Sequence, residues 1–429
     1  MKESILHYVW QFRLFTDNDL KTNEGLRLEI IDTGRLNTDA GPDFFNAKIR
    51  IGNTLWAGNV ELHTQSSDWY RHGHHCDPAY RNVVLHVVKK VDAEVRNVNG
   101  ECIPQLELRY PAHIDRNYEK LLNEKKWIPC ADHIGDVPAI VVSSWKNALL
   151  SERLLQKTAA IAKLLSGSIR NWEEAFYITL ARGFGFGINS QAFQALAQSL
   201  PMKLLGKHKN NLQDIEALLF GQAGLIPATK TDDYSRALKQ NYRFLAHKYE
   251  LHPIDASQWK FLRLRPGNFP HVRVAQFAAL IHASSKLFSK TMEQHDLASL
   301  RQLLACQASE YWQTHYRFAH PSKRLNKGMS KASIDVLLIN VVVPFLFYYG
   351  HSKQQQEIKD KALRLLEEMA PEQNAVLAGW QALGLEAASA YDSQALLQLK
   401  KEYCDAKKCL RCRIGHKVMQ SSNSKPITP

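Results

Sequence analysis

The sequence predicts an α+β protein. An N-terminal α-β-β-β-α-β region is followed by a mostly α-helical region and a short cysteine-bearing tail. Three observations lead there. Apolar residues recur at helical spacing in residues 4–15, alternate strictly in 26–31, 44–51 and 55–62, and return to helical spacing after about residue 136. Asn82–Val88 (NVVLHVV) is the near-continuous apolar run of a buried strand. The charge changes along with the period. Residues 1–135 hold 17 basic against 19 acidic side chains, a formal −2, and residues 136–429 hold 38 against 23, a formal +15.

Each element has its own signal. Ile5, Tyr8, Val9, Phe12 and Phe15 share one face of a first helix. Leu26, Leu28 and Ile30 share one side of a first strand. Residues 44–51 (FFNAKIRI) and 55–62 (LWAGNVEL) are two strands joined at Gly52-Asn53, a tight-hairpin dipeptide. A polar, histidine-rich stretch, 64–80, reads as a short helix or loop before the strand at 82–88. Residues 91–97 and 103–109 read as further strands. The predicted divisions are 1–135, 136–395 and 396–429, with the last ten or so residues, rich in Ser and Pro, disordered. Within the helical region, 183–189 (GFGFGIN) lacks a preceding strand and a P-loop lysine. It reads as a helix break, not a nucleotide site.

Composition narrows the function. In 429 residues, 45% hydrophobic and 23% charged content is ordinary globular usage and excludes a wholly disordered chain. Seven cysteines are too few for a disulfide framework. The first residues carry no secretory apolar segment, and Val336–Tyr349 is shorter than the ~20 residues that span a bilayer. These features predict a cytoplasmic protein with no membrane partner. The net charge of +13 predicts a polyanionic partner, with nucleic acid foremost.

Three constellations carry chemistry. The first is Asp43, Glu61 and His63. Asp43 and Glu61 stand nearly equidistant from the hairpin turn, so they face each other on neighbouring strands. Two carboxylates that close repel unless a cation lies between them, and a hard divalent ion such as Mg²⁺ or Mn²⁺ suits oxygen ligands. Glu61 and His63 are two apart on a strand and share a face. The second constellation is His63, Asp68, His72, His74, His75, Asp77 and His86, a density of imidazoles suited to a Zn²⁺ or Mn²⁺ site or to phosphate contact. Within it, Asp77-Pro78 reads as an N-cap and His86 as a core histidine. The third is Cys404, Cys409, Cys412 and His416, a Cys₃His set for Zn²⁺. An iron–sulfur cluster would take a fourth cysteine from Cys76, Cys102 or Cys130. Arg263, Arg265 and Arg273 flank the Pro/Gly turn at 265–273 and suit phosphate capture, as do the basic groups around Lys203–Lys209 and Lys323–Lys327.

Pro42-Asp43 opening one strand, with Glu61-Leu62-His63 closing the next, resembles the PD-(D/E)XK nuclease superfamily over about 90 residues. The resemblance implies a restriction-endonuclease-like core in which Asp43 and Glu61 bind Mg²⁺ or Mn²⁺. It puts His63 in the place of the lysine that orients or activates water, and it makes Glu29 or Asp32 a supplementary acid. The implied activity is metal-dependent phosphodiester hydrolysis in DNA or RNA. From its own polar, flexible composition, the stretch carrying His72, His74 and His75 reads as a substrate-facing loop. The alternatives are a non-catalytic nucleic-acid-binding protein with a degenerate core, or a zinc hydrolase using His63–His86. GPDF (41–44), GNVELH (58–63), SSDW (66–69) and the terminal cysteines also resemble an uncharacterised bacterial family, which implies no activity.

Overall fold

The computed structural model describes residues 3–15, 19–167, 171–284 and 286–421. The chain forms two units, Met1–Trp145 with Leu399–Pro429, and Lys146–Gln398. The tail therefore belongs with the N-terminal sheet instead of standing apart. The first unit also reaches ten residues beyond the expected boundary at 135. The tail end expected to be disordered lies largely outside the described residues.

The first unit is built on a mixed sheet. Helix α1 (Glu3–Gln11) buries Ile5, Leu6, Tyr8, Val9 and Trp10 and packs on the sheet. Phe12, beyond its end, is exposed. The strands are β1 (Leu28–Asp32), β2 (Arg35–Leu36), β3 (Phe44–Ile51), β4 (Thr54–Gln65), β5 (Val83–Lys90) and β6 (Gln105–Glu107), in spatial order β1-β3-β4-β5-β6 with β2 beside β3. β1, β3 and β4 are antiparallel, whereas β5 and β6 run parallel to β4. Ile51 pairs with Thr54 across Gly52-Asn53, the hairpin its dipeptide predicts. Leu26 is exposed because β1 starts only at Leu28.

Two local features set the site's register. Asn46 sits at φ +57°, and the β3–β4 pairing shifts there: Ala47 faces Gly58, but Phe44 faces Val60. Uninterrupted, the turn's register would set Asp43 opposite Leu62. The extra residue of the bulge sets it opposite Glu61 instead. At Gly58, a Cβ would lie 2.4 Å from Val84 Cγ1 and 2.7 Å from the Asn82 carbonyl, so glycine lets β5 start against β4. Val60 to His63 are all buried, the mark of a strand end covered on both faces.

The crossover from β4 to β5 is held by polar clamps. Asp92 accepts hydrogen bonds from the Ser67 amide (2.8 Å) and from the hydroxyls of Ser66 (3.1 Å) and Ser67 (2.8 Å). Asp68, buried in the short helix α2 (Asp68–Arg71), accepts from the Gln65 amide and pairs with Arg71 at 2.6 Å. Trp69 donates to the Arg96 carbonyl and joins Tyr80, Val83, Val95 and Ile103 in a buried cluster. Asp77 caps the turn Pro78–Tyr80 through the Ala79 amide, as Asp-Pro predicts. The SSDW motif is thus scaffolding for the loop that carries His72 and His74. Of the two further strands expected, 91–97 yields one isolated bridge, Arg96 to Cys102, and 103–109 shrinks to Gln105–Glu107. The Asn97 side chain accepts from the amides of Asn99 and Glu101, holding this stretch as a tight turn. Helices α3 (Ala112–Asn123) and α4 (Ala139–Ser166) follow. The C-terminal helix Arg413–Gln420 packs on α3.

The second unit is mostly helical, with a short antiparallel pair, His315–Arg317 and His320–Pro321. The apolar stretch lies in Lys331–Ser352, a helix long and apolar enough to cross a membrane by length and composition, with 56% of its apolar window buried inside the protein. Residues 183–189 break the helix Trp172–Phe184 from Ser190–Ser199, as their glycines predict.

Candidate metal centre

Asp43 and Glu61 meet, and their backbones explain how. The Asp43 amide donates to Glu61 Oε2 at 3.0 Å, and the Leu62 amide donates to Asp43 Oδ2 at 3.0 Å. Each acid is thus positioned by the other's strand. Helix α1 adds His7, whose Nε2 lies 3.0 Å from Asp43 Oδ2. No sequence pattern flagged His7, because it lies on a helix far upstream. Burial pulls the His7 pKa down, but the Asp43 hydrogen bond and charge, with Glu3 and Glu61, outweigh it and leave the pKa raised.

Imidazoles gather on the other oxygen of Glu61. Oε1 lies 3.2 Å from His74 Nε2 and 3.5 Å from His63 Nε2. His63 Nε2 is also 3.1 Å from His72 Nδ1, and His63 Nδ1 is 2.9 Å from His86 Nε2. One ligand nitrogen each from His63, His72 and His74 lies within 4.8 Å of the others. Glu61, His63, His74 and His86 are buried, and His72 is exposed, so the cluster reaches solvent on one side. Burial pushes the His63 pKa down to about 2, helped by the charges of His86, His74 and His72. Burial likewise pushes His86 down to about 3. Both rings are therefore neutral at physiological pH, the form in which imidazole ligates a metal. Burial raises the Glu61 pKa, opposed by the hydrogen bond with His74.

This geometry revises the roles expected of single residues. A neutral, fully buried His63 cannot stand in for a permanently charged lysine. It is instead a ligand-grade nitrogen whose far side is braced by His86. His86, expected as an ordinary core histidine, is that brace. His75 leaves the cluster: its ring lies on Tyr70 at 5.1 Å, and its Nδ1 has no hydrogen-bond partner. Glu29 pairs with Arg50, and Asp32 accepts the Gly34 amide, so neither acid joins.

The tail is rearranged in the same way. His416 Nδ1 meets the Tyr8 hydroxyl at 2.8 Å and its ring packs on Phe12 at 4.4 Å. Burial raises the thiol pKa values of Cys130, Cys404 and Cys409, with neighbouring thiols adding to the rise, and none of the tail cysteines or Cys130 is in a disulfide.

Residues 3–375 match the family of unknown function DUF2851. The chain belongs to that family. No curated protein and no solved structure matches it. The family match spans the whole histidine–carboxylate cluster and Cys130, and it stops short of the three C-terminal cysteines.

Elsewhere in this DUF2851 chain, the expected phosphate-binding arginines separate. Arg263 and Arg265 are exposed, but Arg273 is buried. Its guanidinium donates to Asn268 at 2.6 Å and to Gln276 at 2.9 Å and lies 4.1 Å from the centre of the Phe186 ring. His271 is buried too, and desolvation lowers its pKa to about 3. Lys327 donates inward to the Trp312 and His315 carbonyls. Arg273 and Lys327 hold the second unit together and present no charge to a partner.

Proposed function

We propose that the first unit is a metal-dependent phosphodiesterase acting on nucleic acid, with Mn²⁺ or Zn²⁺ held by His63, His72, His74 and Glu61. One observation carries this reading: three imidazole nitrogens within 4.8 Å of one another, beside a buried carboxylate and open on one side. An imidazole-rich set suits zinc, and mixed nitrogen and carboxylate ligands admit manganese, whereas magnesium prefers oxygen. A bound ion of this kind lowers the pKa of its water and polarises a phosphoryl oxygen.

The chain's own residues do the rest. His86 holds the His63 ring so that Nε2 faces the cluster. Asp43, fixed by the Leu62 amide and His7 through Oδ2, sets a second carboxylate beside the first. His7, with its raised pKa, supplies a hydrogen-bond donor to Asp43 Oδ2. An antiparallel β1-β3-β4 with β5 parallel to β4 is compatible with the element order expected of a PD-(D/E)XK-like core. The +15 of residues 136–429 favours a polyanionic substrate.

The test is cleavage of single- and double-stranded DNA and RNA with Mn²⁺, Zn²⁺ or chelator. Metal-dependent cleavage is expected, falling 100-fold or more in Glu61→Gln and His63→Ala (about 2.7 kcal/mol of barrier). Wild type that cleaves none of these substrates with either metal would overturn it. The imidazole-rich ligand set also favours a second reading, a zinc hydrolase of small phosphoesters. That reading predicts turnover of a nitrophenyl phosphodiester with no nucleic-acid cleavage.

A further inference from the structure

The second unit holds a cavity of about 1000 Å³, at the upper end of the range for pockets that take a small organic molecule. All of its walls belong to Lys146–Gln398. They come from the second half of α4, the helix Trp172–Phe184 with the glycine-rich break after it, the helix Ser190–Ser199, and the helix Lys331–Ser352.

The sequence shapes this space at two unusual points. The first is the break at 183–189. A Cβ at Gly183 would stand 2.6 Å from Val341 Cγ2 and 2.9 Å from Leu337 Cδ2, so glycine lets two helices close on one side of the cavity. Phe186 lines the cavity with its backbone at φ +42°, a strained conformation for an aromatic residue. The second point is a π turn, Leu338–Val342, inside the helix Lys331–Ser352. Such turns are rare and concentrate at functional sites. This one carries Asn340, whose side chain is fixed at both ends. Its Nδ2 donates to the Val336 carbonyl at 2.9 Å, and its Oδ1 accepts from Lys157 Nζ at 2.9 Å.

The lining selects the charge of a ligand. Among the described residues, Lys157, Lys163 and Arg182 line the cavity and no acidic side chain does. Lys157 also donates to Gln394 Oε1 at 2.6 Å, so both of its acceptors are neutral amides. An ammonium has three donors, which leaves one for a ligand. Arg182 donates to Gln194 at 2.6 Å, again a neutral partner. Desolvation, with the Arg153 charge nearby, pulls the Lys157 pKa down to about 7 against the opposing effect of Glu372. A sheltered cation bonded to neutral amides gains a strong, charge-assisted hydrogen bond from an incoming anion. Ile161, Ile178, Val341 and Pro344 give the same cavity an apolar side.

We propose that this cavity binds an amphipathic organic anion, with a carboxylate, sulfonate or phosphate head meeting Lys157 and an apolar body lying against the hydrocarbon side. The inference does not depend on the activity proposed for the histidine cluster.

A fluorescent molecule of this class, anilinonaphthalene sulfonate, tests it in the full-length protein. One dye per chain should bind saturably. Decanoate should displace it, and decanol at the same concentration should not. Lys157→Met keeps the hydrocarbon stem and removes the charge, and it should weaken binding at least about 10-fold, the scale of a hydrogen bond to a charged group. Arg182→Gln, at an exposed position, should weaken it about 3-fold and decides the matter where Lys157→Met does not fold. Lys353→Gln, exposed and outside the cavity, should leave it unchanged. Dye that binds without saturation, decanol that displaces it as well as decanoate does, or wild-type affinity in both cavity variants would overturn the proposal. So would displacement by a single-stranded oligonucleotide but not by decanoate, which would make the cavity part of a nucleic-acid track.

Discussion

The first unit contains two sets of ligand-grade side chains, built by opposite means. The histidine–carboxylate set hangs on regular strands and a clamped crossover. Its members touch one another, through His63 to His86, His72 to His63, and Glu61 to His74. The tail cysteines sit on irregular turns, Cys404 at the end of a π-helical turn and Cys409 at the start of a 3₁₀ turn. One set reaches solvent through His72, and the other is buried at Cys130, Cys409 and Cys412 and half-buried at Cys404. Metal sites that do chemistry keep a position open, and sites that hold a fold closed do not. On the reading proposed above, the first set would carry the reaction.

The sharpest way to break that assignment is to remove one ligand from each. Cys409→Ser should destabilise the first unit by on the order of 4 kcal/mol, the scale of losing a structural metal. His72→Ala, at an exposed position, should change stability by less than about 0.5 kcal/mol while weakening metal binding at the histidine set. Urea unfolding, read from both variants alongside metal titration, measures both effects. Equal stability losses in the two variants would erase the distinction.

A smaller effect separates ligands from braces within the histidine set. His86→Leu keeps the volume and the burial but removes the hydrogen bond to His63 Nδ1. A lost brace of this kind costs about 10–100-fold in metal affinity. A competition titration with a chromophoric chelator would show it. Unchanged affinity would mean that His86 is only core.

How much of this was legible in the sequence differs between the two sets for a physical reason. Alternation and the Gly52-Asn53 dipeptide place β3 and β4 in a hairpin, and that suffices to bring Asp43 near Glu61. The decisive register shift rests on one residue, Asn46 at φ +57°, and no apolar pattern encodes a single left-handed residue inside a strand. His7 was invisible because helix docking, not sequence proximity, delivers it. The cysteines show the converse error. His416 follows Cys412 by four residues and looks like a ligand. Yet the last helix turns its Nδ1 to the Tyr8 hydroxyl, 2.8 Å away. Density along the chain locates a metal site well, but its last ligand is set by packing.

The gentlest probe of the comparison is pH. The folded-state pKa values of His63, about 2, and His86, about 3, lie below the ordinary histidine value of 6.5. As pH falls below 6.5, the unfolded chain takes up protons that the folded chain refuses, so stability is lost. Each such imidazole contributes up to about 1.4 kcal/mol per pH unit. Glu61 works the other way, since its raised pKa lets the folded state take a proton first and offsets part of the loss near its own titration. In metal-free protein, the first unit should therefore unfold progressively more easily between pH 6.5 and about 4. His86→Leu should flatten that slope by about 1 kcal/mol per pH unit. The cysteine set has no group titrating in this window, because burial holds Cys130 at about 12 and Cys409 at about 11. A Cys409→Ser variant should therefore keep the wild-type pH slope from a lower starting stability. Parallel denaturation curves for wild type and His86→Leu across this range would contradict the assignment of neutral, buried imidazoles to the histidine set.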